Sequence, residues 1–269
     1  MNSKKNIFNI EGKVIILTGG SGKLGSNYAD HLINNGAKVC NFDKNEPSGE
    51  INANLSNNEN YKFFKTDLTQ KENISKSINK VIEVFGVPHG LINNAALDSP
   101  PGSNEDLNGP LEEYPELAWD KVIEVNLKSV FLCCQVIGSK MANENESGSI
   151  INISSHYGIV SPDQRIYAYK KNNFNKPISY SASKSGIINM TRYLSTYWGS
   201  KNIRVNTLIL GGVLDNQDKE FIKNYSSKVP LGRMANQDEY NGVIQFLLSS
   251  ASSYITGSNL IADGGWTAW

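Results

Sequence analysis

The chain has 269 residues, and its 26 lysines and arginines balance 26 aspartates and glutamates. This length fits one large α/β domain better than two small ones. The balanced charge argues against a nucleic-acid or anionic-membrane partner, which would require a basic surplus. Residues 1–9 lack the hydrophobic stretch of a secretory signal, and no apolar run approaches the roughly 20 residues of a membrane span. We therefore expect a cytoplasmic protein that contacts neither nucleic acid nor membrane.

The chain has three cysteines, Cys40, Cys133 and Cys134. Two adjacent cysteines cannot both face one tetrahedral metal, and the sequence has no Cys-x-x-Cys motif. We expect reduced, structural thiols and no metal site.

Predicted strands and helices alternate along the chain. Short runs of valine, isoleucine and leucine predict buried parallel strands, and apolar residues at helical spacing predict the helices between them. The predicted strands are Lys13–Thr18, Lys38–Phe42, Lys62–Lys65, Gly90–Asn93, Ser149–Ser154, Arg204–Ile209 and Asn259–Ala262. The predicted helices are Leu24–Asn34, Lys71–Phe85, 118–141, Ser179–Trp198 and Gln237–Ser249. This alternation predicts a single α/β domain with a doubly wound, mainly parallel sheet between two layers of helices.

Two polar stretches interrupt the alternation. Residues 46–60 are rich in asparagine and serine, which predicts an exposed loop. Residues 161–177 are polar and contain tyrosines, and they precede the helix predicted at Ser179–Trp198. We interpret this second stretch as an insertion over the functional site.

A glycine-rich turn joins the first predicted strand to the first predicted helix. Gly20, Gly22 and Gly25 form a Gly-x-Gly-x-x-Gly pattern, which lets the backbone approach a pyrophosphate at the helix N-terminus. Asp43 ends the second strand, where a carboxylate binds the ribose hydroxyls of a dinucleotide and repels a ribose phosphate. The pattern predicts NAD rather than NADP as cofactor, although Lys23 and Lys44 lie close enough in sequence to weaken that preference.

Further motifs follow in a fixed order downstream. They are Asp67-Leu68, Asn93-Asn94-Ala95-Ala96, Val125-Asn126-Leu127, Ile151-Asn152-Ile153-Ser154-Ser155, Tyr180-Ser181-Ala182-Ser183-Lys184, Ile203-Arg204-Val205-Asn206, Gly211-Gly212 and Asp263-Gly264-Gly265. With the glycine turn, they resemble the short-chain dehydrogenase/reductase family from about Gly12 to Gly265. The glycine spacing is that of the family's longer, sugar-nucleotide branch, whereas everything downstream resembles its compact, single-domain branch. Ala96 stands where the family has glycine, and Leu210 where proline is usual.

The resemblance implies a Rossmann-type fold and assigns roles to individual residues. The implied catalytic residues are Asn126, Ser155, Tyr180 and Lys184. The implied cofactor contacts are Gly19, Ser21, Gly22, Leu24, Gly25, Asp43, Asp67, Leu68, Asn94, Ala95, Tyr180, Lys184, Gly212 and Val213. The implied activity is hydride transfer between NAD(H) and a hydroxyl or carbonyl carbon.

Tyr180 and Lys184 suit this chemistry, because an alcohol that loses hydride must also lose a proton to a base. A spacing of four places the two side chains on one face of a helix. A free tyrosine has a pKa of about 10, and an ammonium about 4 Å away would favour the phenolate and lower that pKa towards 7. Ser155 would donate to the substrate oxygen. The resemblance implies that Asn126 anchors a water that relays the proton from Lys184.

Tyr167 and Lys171 also satisfy Tyr-x-x-x-Lys and lie nearer to Ser155 in sequence. Asn172, Asn173 and Pro177 follow them, and such a run does not form a long helix. Apolar residues at helical spacing follow Tyr180 instead, so the sequence favours Tyr180 as the acid–base residue.

The sequence identifies the substrate less clearly than the cofactor. His156 could touch the substrate or merely end its strand. Four cations could bind an anionic or polyhydroxylated substrate, or lie on a solvated loop; they are Arg165, Lys170, Lys171 and Lys176. The stretch 155–158 and the polar insertion resemble members of the family from bacterial surface-glycan biosynthesis, which suggests a sugar or sugar phosphate as the small-molecule substrate.

Two alternative functions stay open at this point. The glycine spacing favours a sugar-nucleotide epimerase or dehydratase, although little more than 80 residues follow Lys184. A non-catalytic dinucleotide sensor is the other alternative. We also expect a homotetramer or homodimer, assembled through the helix predicted at Gln237–Ser249 and the strand at Asn259–Ala262.

Overall fold

The structure is a computed structural model that describes residues 6–98, 109–144, 147–170 and 174–269. Within these ranges, seven strands form one parallel sheet in the order β3-β2-β1-β4-β5-β6-β7. The strands are β1 (Val14–Thr18), β2 (Lys38–Asp43), β3 (Tyr61–Lys65), β4 (Gly90–Asn93), β5 (Gly148–Ser155), β6 (Ile203–Leu210) and β7 (Asn259–Ala262). The predicted doubly wound, Rossmann-type α/β fold is confirmed.

Helices connect the strands and cover the sheet. They are α1 (Lys23–Asn34), α2 (Glu50–Ser56), α3 (Lys71–Phe85), α4 (Glu116–Glu144), α5 (Ile178–Trp198), α6 (Lys219–Ser226) and α7 (Asn241–Leu248). The strand order reverses between β1 and β4. In sheets of this kind, ligands bind beyond the carboxyl ends of the strands at such a reversal.

Alternate residues of the central strands enter two hydrophobic cores on opposite faces of the sheet. Ile15 packs with the buried side chains of α1 and α7. Ile16 packs with those of α3 and α4, including Ile78 and Ile137. Each of these four side chains is at most 1% exposed. The strands are therefore buried on both faces, which explains their continuous apolar runs.

The long helix α4 is interrupted by two π-helical turns, at Glu124–Lys128 and Cys134–Gly138. By length and composition alone this helix could cross a membrane, which differs from the expectation that no apolar run approaches a membrane span. Half of its most apolar window is buried inside the domain. A core helix of a folded α/β domain accounts for both properties.

Two helices were missed in the sequence. The predicted loop at residues 46–60 contains α2, which forms because Leu55 is buried in the core and Asn52 Nδ2 donates to Ser48 O over 2.7 Å. Helix α6 was not predicted either; the Asp218 side chain caps it by accepting from Phe221 N over 2.8 Å. Helix α7 begins at Asn241, four residues later than predicted.

The segment between β5 and α5 contains short 3-10 turns at His156–Gly158 and Gln164–Tyr167. The side chain of Gln164 is hydrogen-bonded to both backbone groups of Lys176, accepting from its N–H over 2.8 Å and donating to its carbonyl over 3.2 Å. These two hydrogen bonds fix the backbone just before α5 begins. Lys171 of the second Tyr-x-x-x-Lys motif lies outside the described residues.

Candidate active site

The glycine-rich turn lies at the carboxyl end of β1 and leads directly into α1. A Cβ on Gly25 would lie 2.1 Å from the carbonyl oxygen of Gly19, so only glycine lets the helix start this close to the turn. A Cβ on Gly22 would meet only the Gly19 oxygen, at 3.4 Å. The turn is therefore open above Gly22, where the first amides of α1 have no partner within the helix.

A cleft of about 600 Å³ extends from this turn along the ends of β2 and β4. It contains most of the residues predicted to contact the cofactor. They are Gly19, Ser21, Gly22, Leu24, Gly25, Asp43, Asp67, Leu68, Asn94, Ala95 and Tyr180. Gly212 and Val213 line an adjoining cavity instead, together with Lys184.

Two short networks of hydrogen bonds hold the walls of this cleft. The Thr18 hydroxyl accepts from the backbone N–H groups of Asn94 and Ala95, over 2.9 and 3.1 Å. Asn94 Nδ2 in turn donates to the carbonyls of Thr18 and Gly19. At the far wall, burial raises the pKa of Asp67, but hydrogen bonds from Thr69 outweigh that effect and lower it below its usual value.

Neither lysine near the glycine turn contacts Asp43 in this structure. Lys23 forms an ion pair with Asp215, on the loop that follows β6. The charge of Lys44 instead helps to lower the pKa of Asp67. Within the described residues, Asp43 forms no ion pair, which agrees with a preference for NAD.

The second cavity, of about 680 Å³, adjoins the cofactor cleft and holds the predicted catalytic residues Ser155, Tyr180 and Lys184. Ser155 is the last residue of β5, and its Oγ accepts from Tyr157 N over 3.2 Å. Lys184 lies one helical turn beyond Tyr180 on α5, and its Nζ donates to Ile153 O over 3.1 Å. Tyr180 lines both cavities. The three side chains therefore meet where the cleft and the cavity join.

The electrostatics of Tyr180 differ from the sequence-based expectation. Burial, followed by the charge of Asp98, raises the pKa of Tyr180 above its usual value, and the Ser155 side chain opposes the shift. Burial also lowers the pKa of Lys184 to about 8. The expected lowering towards 7 is wrong for the protein without cofactor, because it ignored burial and because Lys184 Nζ lies 5.8 Å from the Tyr180 ring centroid.

Asn126 lies on the first π-helical turn of α4 and is fully buried. Its side chain pairs with the backbone of Leu97, accepting from N–H over 2.7 Å and donating to the carbonyl over 2.8 Å. Its Nδ2 also lies 3.2 Å from Ser183 Oγ. The side-chain amide is thus occupied by protein partners.

Aromatic side chains line one wall of the cavity, and Trp266 packs against them without lining the cavity itself. Trp266, near the end of the chain, stacks on Tyr225 with ring centroids 4.4 Å apart, and His156 lies 5.1 Å from Trp266. The Tyr225 hydroxyl accepts from Gly212 N over 2.5 Å. Tyr167 belongs to this wall and stacks on Phe221, so its ring is a packing element. Trp266 and Tyr225 carried no recognisable motif, and only the fold brings them here.

His156 lies 3% exposed in this wall. Its Nδ1 is 3.0 Å from Leu210 O, and because a carbonyl only accepts, Nδ1 carries the proton. Burial lowers the pKa of His156 to about 4, although the bond to Leu210 and the charge of Asp263 raise it. The ring is therefore neutral near pH 7.

Of the four cations predicted near the substrate, two line the cavity in the described part of the chain. Lys176 Nζ lies 4.7 Å from the Tyr180 ring centroid, and Lys170 Nζ lies 4.4 Å from that of Phe174. Arg165 is directed to solvent and pairs with Asp163 over 2.7 Å. Lys171 falls outside the described residues. Asp98, which no sequence pattern indicated, forms an ion pair with Lys176.

Comparisons with known proteins agree with this geometry. The family model described as "Enoyl-(Acyl carrier protein) reductase" matches residues 21–267. An NAD-dependent glycerol dehydrogenase of Listeria innocua is 31% identical over an alignment of 265 positions, which covers 97% of this chain and 96% of that protein. A 2-dehydro-3-deoxy-D-gluconate 5-dehydrogenase of Escherichia coli is 30% identical over an alignment of 267 positions, which covers 97% of this chain and 98% of that protein. A solved short-chain dehydrogenase of Leptospira borgpetersenii with bound NAD+ has a TM-score of 0.87 at 32% identity and covers 99% and 98%.

The fold, the matched family model and these relatives define the class. The chain belongs to the short-chain dehydrogenase/reductase family. It is an NAD-dependent oxidoreductase that transfers hydride between the nicotinamide and a hydroxyl or carbonyl carbon of a small polar substrate.

Proposed function

We propose that this protein is a dehydrogenase of polyols or sugar acids, with Tyr180 as its acid–base residue. The observation that carries the proposal is the position of Tyr180 in the shared wall of the cofactor cleft and the substrate cavity, with Ser155 and Lys184 beside it. A proton carrier at this junction can reach an oxygen whose carbon faces the cofactor.

The residues of the cleft fit a dinucleotide. The open turn above Gly22 and the free amides at the N-terminus of α1 suit a pyrophosphate. Asp43 suits the adenosine ribose, and Tyr180 and Lys184 suit the ribose next to the nicotinamide. The bound nicotinamide supplies the hydride acceptor for oxidation or the hydride donor for reduction.

In oxidation, Tyr180 Oη takes the proton of the substrate hydroxyl. Ser155 Oγ already accepts from Tyr157 N, so its own O–H is available to donate to the same substrate oxygen. Lys184, held by Ile153 O, favours the phenolate form of Tyr180 by its charge. Because the amide of Asn126 is occupied by Leu97, a relay water would have to bind elsewhere than on this side chain.

The substrate class rests on the cavity and on the names of the relatives. The cavity wall offers hydroxyl, imidazole and ammonium groups among aromatic rings, which is a suitable lining for a short polyhydroxylated molecule. The relatives include a glycerol dehydrogenase, a D-threitol dehydrogenase and a 2-dehydro-3-deoxy-D-gluconate 5-dehydrogenase. The narrower resemblance to enzymes of surface-glycan biosynthesis stays a prediction, and so does a cytoplasmic location.

The test is a screen of polyols, aldoses, ketoses, sugar acids and sugar phosphates, with NADH absorbance followed in both directions. We expect turnover with at least one polyol or sugar acid. A tightly bound cofactor that does not exchange, with isomerised or dehydrated product, would instead show the epimerase or dehydratase alternative. Cofactor binding without turnover of any compound would favour the dinucleotide sensor.

Assembly as a homotetramer or homodimer also belongs to this proposal. Leu247 and Leu248 of α7 pack inward, whereas Val243 and Phe246 are only partly buried, and Ile261 on the edge strand β7 is 52% exposed. On the opposite face of the sheet, helices α4 and α5 expose further apolar side chains that the sequence did not indicate. They are Leu117, Phe131, Tyr193 and Tyr197. Apolar surfaces of this kind are typical of subunit interfaces.

A further inference from the structure

Lys176 occupies an unusual position for a lysine. Its side chain is only 10% exposed, and it lies at the residue before Pro177, the N-cap of α5. A cation there opposes the helix dipole, which favours negative charge at an N-terminus. Helix stability therefore does not explain this lysine.

The backbone around Lys176 is held so that its ammonium reaches the reaction centre. Gln164 binds both backbone groups of Lys176, and the side chain then extends over the ring of Tyr180, 4.7 Å from Nζ to the ring centroid. The same residue lines the substrate cavity. The ammonium of Lys176 therefore lies over the ring of Tyr180, whose hydroxyl oxygen is proposed to take the substrate proton.

The two partners of the Lys176–Asp98 ion pair differ strongly in exposure. The side chain of Asp98 is 68% exposed, against 10% for Lys176. Returning the Asp98 carboxylate fully to water costs little, because it is already mostly hydrated, whereas a buried ammonium without an anion is strongly unfavourable. Asp98 is therefore a partner that another anion can replace.

Among the described residues that line the cavity, cations outnumber carboxylates. The cations are Lys170, Lys176 and Lys184, and the carboxylates are Asp98 and Asp218. Asp218 is already occupied, since it accepts from the Tyr169 hydroxyl over 2.5 Å and caps α6. Only Asp98 remains to balance the cations nearest to Tyr180.

We propose that Lys176 selects an anionic substrate by binding its carboxylate or phosphate group, and that Asp98 holds the ammonium until this group arrives. This inference rests on the proposed function and narrows it from polyhydroxylated compounds in general to those that carry a negative charge. A carboxylate and a phosphate share the chemistry that Lys176 would recognise, a charge-assisted hydrogen bond.

The experiment compares substrates that differ only in charge. Each set contains a neutral polyol of three to six carbons, the acid in which one terminal carbon is a carboxylate, and the terminal phosphate ester. We expect kcat/KM with NAD to be about tenfold or more higher for a charged member than for the neutral one. The better of the two charged members identifies whether the group is a carboxylate or a phosphate.

Two variants move this preference in opposite directions. Lys176→Met keeps most of the apolar stem and should reduce the charged-to-neutral ratio by about tenfold to a hundredfold, chiefly through KM. Asp98→Asn removes the competing anion and should lower KM for the charged substrate. Arg165→Met, which removes a cation that is directed to solvent and does not line this cavity, should leave the ratio nearly unchanged.

Several outcomes would overturn the inference. A wild-type preference for the neutral member would do so while leaving the proposed function intact. If Lys176→Met lowered kcat/KM equally for charged and neutral members, the ion pair would be only a structural contact. The same would follow if Lys176→Met and Asp98→Asn changed the charged-to-neutral ratio in the same direction. If the enzyme neither oxidises any member of any set nor produces one by reduction, the proposed function fails and this inference fails with it.

Discussion

The carboxylate of Asp43 holds the backbone of Ser21 in the glycine-rich turn. Oδ2 of Asp43 accepts from Ser21 N over 3.1 Å, and Oδ1 accepts from Asn45 N over 3.0 Å. Each oxygen keeps a further lone pair for a ligand. One side chain therefore shapes the turn proposed to bind pyrophosphate and also presents negative charge at the proposed ribose site.

Replacing Asp43 should alter cofactor selection in two separable ways. Asp43→Asn keeps an acceptor for Ser21 but loses the charge, so we expect NADP to gain on NAD by about tenfold in kcat/KM. Asp43→Ala also frees the turn and should weaken NAD binding further. Both are measured by steady-state kinetics with each cofactor. A wild-type enzyme that is more efficient with NADP would contradict this assignment of Asp43.

Tyr180 and Tyr167 give a matched pair of substitutions. Tyr180→Phe removes the proton carrier and keeps the ring, so turnover should fall by about 10²–10⁴-fold while the Kd for NADH changes far less. Tyr167→Phe keeps a ring that packs on Phe221 and should be mild. The Kd of each variant is measured by titration of NADH fluorescence, and its turnover by initial rates. If only Tyr167→Phe lost activity, the acid–base residue would be Tyr167 rather than Tyr180.

His156 should make the protein sensitive to mild acid. Its pKa is about 4 in the folded protein, against 6.5 in the reference state, so the unfolded chain binds the proton first as pH falls. Stability supplied by the neutral ring is present above pH 6.5 and is lost as pH falls from 6.5 towards 4. Urea unfolding should show a loss of about 2 kcal/mol between pH 7 and pH 5 from this group.

The control for this acid sensitivity is His156→Gln, which cannot take up the proton. The variant should be less stable at pH 7 but should depend less steeply on pH between 6.5 and 4.5. An unchanged pH slope in His156→Gln would show that other groups cause the acid sensitivity.

Assembly can be tested on two surfaces. Tyr193 and Tyr197 on α5 stack with ring centroids 6.0 Å apart while each is more than 60% exposed. Tyr193→Glu should weaken association at the α4–α5 surface, and Ile261→Lys should weaken it at β7, since each places a charge in an apolar contact. Light scattering of the wild type should give a tetramer, which each variant reduces to a smaller species, or a dimer, which only the variant at its own interface reduces to a monomer. A monomeric wild type would refute the prediction.

The sequence predicted the sheet well because its strands are buried on both faces. Apolar runs such as Val14–Thr18 leave little choice of structure, and their bounds were predicted to within a residue or so. Helix α2 was missed because asparagine and serine dominate its sequence, and the buried Leu55 that stabilises it is a tertiary contact. Propensity alone could not reveal this contact.

The candidate site was predictable where it depends on local spacing. Tyr180 and Lys184 are four residues apart on one helix, so their proximity follows from helix geometry. The Lys176–Asp98 pair joins residues 78 apart in the chain, and no local pattern brings them together. The raised pKa of Tyr180 was also beyond the sequence, because burial is a property of the folded cavity.

The two π-turns of α4 explain a periodicity that ordinary helix rules do not. Every fourth residue of this helix is buried, from Ala118 through Val122, Asn126, Val130, Cys134 and Gly138 to Ala142. In a regular helix of about 3.6 residues per turn, such a series would spiral away from the sheet by about 40° at each step. Two inserted residues absorb that drift over about six turns, so the series stays on one side. Deletion of one residue from Glu124–Lys128 would therefore convert this π-turn into a regular helical turn and leave every later position facing the same side, whereas deletion of one residue from a regular turn of α4 would rotate the later positions by about 100°.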